Sequence, residues 1–151
     1  MSKYQLAEIN IAKMKGLETN DPIMKEFVDN LDSVNTLAEK SEGFIWRLKD
    51  GNNNATNFNP YDDVQVLINI SVWKDTHSLE NFMYKTFHND LLKRRKEWFK
   101  IFGKVSTAMW WVPWGAYPTM HEAVEKLEYL QKNGASELVF DFKNKFDMPL
   151  H

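Results

Sequence analysis

The chain contains no cysteine, which excludes disulfides, thiolate nucleophiles and thiolate-bound zinc or iron–sulfur centres together. It also has no uninterrupted apolar run long enough to span a bilayer, and the opening Met1-Ser2-Lys3-Tyr4-Gln5-Leu6 lacks the apolar core of a signal peptide. A cytoplasmic protein without a membrane partner is the expectation. An excess of charge of one sign is missing too. The 19 basic and 21 acidic residues give a formal net charge of -2, a balance that creates no field to gather nucleic acid. The run Lys93-Arg94-Arg95-Lys96 does not alter this, because a helical wheel spreads the four cations around more than half the circumference. No glycine-rich phosphate loop, nucleophile elbow or zincin motif occurs. His77, His121 and His151 lack companions at ligand spacing, so no metal site is expected.

What the chain does have is ring surface. Aromatics make up 14% of the residues, with six Trp and ten Phe, more than an ordinary core needs, so part of it should line a pocket or an interface. The length, 151 residues, suits a single domain over 1–151. Alternation from Tyr4 to Met14 predicts a first strand, with Ala7, Ile9 and Ile11 on one face and Leu6, Glu8 and Asn10 on the other. Asp21-Pro22 reads as an N-cap and first helical residue, and Met24, Phe27, Val28, Leu31, Val34, Leu37 and Ala38 recur at helical spacing to about Ser41. Gly43 turns the chain into a short strand, Phe44 to Leu48, which gives way to a polar Asn52-Asn53-Asn54 loop.

Val64 to Trp73 is the clearest strand, with Val64, Val66, Ile68, Ile70 and Val72 on one face and Gln65, Leu67, Asn69, Ser71 and Trp73 on the other. Asp75 or Thr76 caps a second helix expected to run to about Phe102, closed by Gly103. A fourth strand follows over Thr107 to Trp114. A third helix opens at Pro118-Thr119 and stops at Asn133-Gly134, and Leu138 to Phe142 suggests one more short strand.

This order of elements is the ferredoxin-like split β-α-β arrangement of an α+β protein, a four-stranded antiparallel sheet with helices on one face, here with an extra C-terminal helix. The other sheet face would then be bare. It would show Leu6, Glu8, Asn10, Trp46, Leu67, Asn69, Ser71 and Trp73, with Trp110 or Trp111 according to register, and homodimerisation through the sheets would cover so much aromatic area.

Leu6-Ala7-Glu8-Ile9-Asn10, Gly43 to Leu48, Asn69 to Trp73, His88 with Leu91 to Trp98, and Trp110-Trp111-Val112-Pro113 through Thr119 together resemble domain-of-unknown-function family 3291. The resemblance covers nearly the whole chain. It implies the dimeric α+β barrel superfamily, in which cofactor-independent monooxygenases, haem-degrading enzymes and stress-response proteins share one fold, so the fold does not choose among them. In the haem-degrading members the site combines an Asn on the first strand with a Trp and a His on the second helix. Asn10 matches, but Phe82 stands for the Trp and His88 is displaced, which argues against haem as a cofactor.

Four residues are candidates for chemistry. On one continuous helix Tyr84, His88 and Arg95 fall within about 40° of one another and could converge on a ligand, His88 moving a proton while Tyr84 and Arg95 hold an anion. The structural alternative is that His88 caps a packing seam and Arg95 pairs at the surface. Glu8 shares its face with Asn10 and is a candidate base if buried, or an inert ion if bridged to Arg47 or Arg95. Asn10, Trp46, Asn69, Ser71, Trp73 and Trp110 are the candidate substrate contacts, set against the ordinary role of aromatics as core. The reading is a homodimer with a cavity between the sheet and the second helix. It binds a small aromatic or enolisable molecule, without a cofactor, in a monooxygenase-like or isomerase-like reaction. The competing reading is a non-catalytic association protein, and the third is a haem-binding protein.

Overall fold

The computed structural model describes residues 2–17, 20–49, 65–87, 94–101 and 103–150. Its strands are β1 (Tyr4–Met14), β2 (Phe44–Arg47), β3 (Val66–Trp73), β4 (Phe99–Lys100) and β5 (Thr107–Pro113). Its helices are α1 (Lys25–Lys40), preceded by a 3-10 turn at Pro22–Met24, α2 (Thr76–Phe87), the single turn α3 (Arg95–Trp98) and α4 (Met120–Asn133). All strand pairs are antiparallel, in the order β2-β3-β1, with β4 and β5 sharing the far edge of β1. This is the ferredoxin-like α+β architecture.

Local chemistry sets the element ends. Asp21 accepts from the Ile23 N–H, Asp75 from the Ser78 N–H and Thr119 from the Glu122 N–H, so each helical entry satisfies a donor that the helix leaves open. Gly43 joins α1 to β2 at φ +84°, where its carbonyl receives the Lys74 N–H at 2.7 Å. A Cβ there would lie 2.4 Å from the Ser78 Cβ. Gly43→Ala should therefore cost about 2 kcal/mol or more from left-handed strain and collision together, measured as a shift in denaturant midpoint.

The register decides what each sheet face carries. Leu6, Glu8 and Asn10 stand opposite Trp73, Ser71 and Asn69 on β3 and opposite Trp111, Met109 and Thr107 on β5. This face lies beneath α1 and α2, whose Ala38 and Leu79 join Leu6 and Trp73 in one buried cluster. The expectation of a bare Glu8 face is thus corrected. The all-apolar face is buried as well, with Ala7, Ile9, Ile70 and Trp110 packed against Ala123, Leu127 and Leu130 of α4. A sheet-to-sheet homodimer would have to displace that cover.

The second helix also departs from expectation. After Phe87, the next described residues form the separate turn α3, and Phe99–Lys100 pairs with Lys13–Met14 as a strand. Apolar spacing alone predicted a helix to Phe102. What overrides it is β pairing together with burial of Trp98 against Met14 and Met24, with Phe27 edge-on to Phe99. At the C-terminal end the expected short strand is reduced to one bridge, Met109 to Phe140.

Candidate functional site

A cavity of about 430 Å³ lies between the sheet and α1 and α2, within the usual size range of small-molecule sites. Its floor is three rungs of the sheet. The first is apolar, Phe44 and Trp73, with Trp73 stacked on Phe82 of α2 at 5.2 Å and edge-to-face with Phe44 at 5.3 Å. The second carries Arg47, Ser71 and Glu8, and the third Asn69, Asn10 and Thr107. Arg95 of α3 adds a cation to the lining, and Asn69 is solvent-exposed.

Glu8 is 2% exposed. Its Oε1 accepts from Asn10 Nδ2 at 2.6 Å and its Oε2 from Ser71 Oγ at 2.8 Å, while Trp73 Nε1 donates to Ser71 Oγ at 2.9 Å. Burial pushes its pKa up from 4.5 to about 7, against the opposing pull of the Asn10 and Ser71 hydrogen bonds. Burial thus brings proton uptake and release by this carboxyl towards neutral pH. Arg47 is itself buried, and its Nε donates to Glu39 Oε1 at 3.3 Å. Replacing Ser71 with Ala removes a donor that favours the ionised form, so Ser71→Ala should move the Glu8 titration above 7, read by carboxyl-carbon NMR.

The structure brings together Glu8, Asn10, Asn69, Ser71, Trp73 and Arg95 in the cavity lining. Trp46 and Trp110 are corrections. A bulge between Phe44 and Trp46 turns Trp46 to the Val72 face, where it stacks on Tyr117 at 4.9 Å, and brings Arg47 to the cavity in its place. Trp110 pairs with Ala7 and is buried on the same opposite face. Tyr84 is 64% exposed and is not part of the lining. The continuous helix that aligned it with Arg95 is replaced by two separate elements. His88 lies outside the described residues.

Sequence reasoning missed Arg47, Phe44, Phe82 and Thr107 as site residues. The one available signal was a cation inside an otherwise apolar short strand, at Arg47. No histidine is among the described lining residues, and His88, the candidate axial ligand for haem, lies outside the described residues. Among the described residues, no helix is long and apolar enough to cross a membrane.

A ferredoxin-like α+β sheet with a helix-covered cavity and a buried carboxyl defines the class of protein. The chain belongs to the family described as a domain of unknown function (DUF3291), which matches residues 5–151. No curated protein matches it. Among solved structures it is similar to SnoaB, a cofactor-independent oxygenase from Streptomyces nogalater, at 12% identity and a TM-score of 0.47, over 79% of this chain and 98% of that one. It is also similar to NE2512, a protein of unknown function from Nitrosomonas europaea, at 15% identity and a TM-score of 0.46, over 78% of this chain and 95% of that one. Likenesses this distant bear on neither substrate nor reaction.

Proposed function

We propose that this protein binds a small aromatic or enolisable molecule in the cavity and moves a proton to and from it with Glu8. The observation that carries this is a buried carboxyl, bonded at both oxygens, that faces a cavity and whose burial pushes its pKa up towards neutrality. The Phe44, Trp73 and Phe82 wall takes the apolar part of the ligand, and Arg95 faces any anionic part. Proton transfer is the step that isomerase-like and monooxygenase-like reactions share. Oxygen uptake during turnover would separate the two. His88 is a second candidate proton carrier, and unchanged affinity and turnover in His88→Ala would remove it.

The test is titration with a panel of small phenols and aryl carbonyl compounds, followed by ligand NMR. Glu8→Gln should keep ligand binding, because the side-chain shape and one acceptor oxygen are retained, and lose proton exchange. Exchange that persists in Glu8→Gln would end the assignment of Glu8 as the base.

A further inference from the structure

One rung from Glu8, the sheet presents a row of neutral polar groups. Asn10 pairs directly with Asn69 on β3 and with Thr107 on β5, so three adjacent strands aim two amides and a hydroxyl at the cavity. Residues paired in this way have Cβ atoms roughly 5 Å apart, which lets neighbouring side chains share one ligand oxygen. The Asn10 amide gives one of its two hydrogens to Glu8 Oε1 and keeps the other. The side chains of Asn69 and Thr107 make no hydrogen bond among the described residues.

We propose that this row is an oxyanion site and that the substrate is a carbon acid, a ketone whose carbonyl oxygen rests on Asn10 and Asn69 while its α-carbon faces Glu8. The inference rests on the reading of Glu8 as proton acceptor. Because a single amide touches the carboxylate and also reaches the cavity, base and oxyanion donor are as close as an α-hydrogen and its carbonyl oxygen. Glu8 takes the α-proton, the C–H pair becomes the carbon–carbon double bond, and the carbonyl π pair moves to oxygen, where the amides receive the charge. Return of a proton to the same α-carbon exchanges its hydrogen, or inverts the carbon where it is a stereocentre, and restores Glu8, and the step consumes no oxidant.

The donors are neutral, so they stabilise charge on the substrate without adding a cation beside the base. The other charged groups of the described lining are Arg47 from β2 and Arg95 from α3, whereas α1 and α2 face the cavity with uncharged side chains. A carboxylate of modest basicity takes a proton only from an activated carbon. The class is therefore a carbon flanked by a carbonyl and an aryl ring, or by two carbonyls, with the ring against Phe44, Trp73 and Phe82.

The experiment is hydrogen–deuterium exchange of phenylacetone and 2-tetralone in D2O with the full chain, followed by proton NMR as loss of the benzylic α-signal. Wild type should accelerate exchange and Glu8→Gln should not. Asn69→Ala, at an exposed position away from Glu8, should keep the melting curve and the midpoint of the pH–rate profile while lowering the exchange rate by roughly 10-fold, less than at a water-excluded donor because water reaches this position. Asn69→Ser should recover part of that loss. An Asn69→Ala rate equal to wild type would overturn the oxyanion row. Binding of the probes without exchange would overturn the ketone assignment and leave the ligand-binding reading standing. Absence of both binding and exchange would overturn the two together.

Discussion

Glu8→Gln should make the protein more stable at pH 8 by up to about 3 kcal/mol, on the order of 5–10 °C in melting temperature. The Glu8 pKa is about 7 in the folded chain, against an ordinary 4.5. Between those values the folded state holds a proton that the unfolded state has released. Stability therefore falls as pH rises from about 4.5 to about 7, and stays at its lower level above. Glutamine keeps the side-chain shape, cannot ionise and escapes the penalty. Glu26 and Glu97, held below the usual carboxylate range first by hydrogen bonds from Arg94, act in the opposite direction at lower pH. The informative quantity is therefore the difference between variant and wild type, which should be near zero at pH 4 and full at pH 8. A difference that is the same at both pH values would show that Glu8 does not titrate in that window.

Trp73→Ala should destabilise the fold by about 3–5 kcal/mol, the range for deleting a fully buried indole. Trp73 is 1% exposed, is packed by Phe44 and Phe82, and spends its N–H on Ser71. Its removal opens the apolar end of the cavity and strips Ser71 of its donor. Trp73→Phe separates the two effects. The ring is retained in part, so the cost should fall to about 1–2 kcal/mol from lost volume and one lost hydrogen bond. Denaturant melts measure both variants, and an equal cost would mean that the aromatic wall contributes little packing.

Much of the fold is legible in the residues. Tyr4–Met14 is a strand over the alternating stretch itself, and α4 begins and ends where Thr119 and Gly134 mark its caps. The face assignment was not legible, because both faces of β1 and β3 are rich in apolar residues and alternation cannot say which one meets which helix. Glu8, Asn10, Asn69 and Ser71 do group together, since a period of two puts them on one face whichever way the sheet turns. Trp46 defeats the same rule, because a bulge is a backbone event with no residue-type signature here, and one extra residue exchanges it for Arg47. The break before Arg95 was hidden by Trp98 and Ile101, whose spacing continues the helix while Trp98 is buried in another cluster and Ile101 lies exposed beyond β4.

Everything proposed for the cavity depends on a Glu8 carboxyl that exchanges its proton near neutral pH. Its direct test is a carbon-13 titration of glutamate side-chain carboxyls, with the Glu8 signal identified by its absence in Glu8→Gln. A midpoint near 7 is the predicted result. A midpoint at the ordinary 4.5 would mean that water or a cation reaches the carboxylate, and would contradict the account.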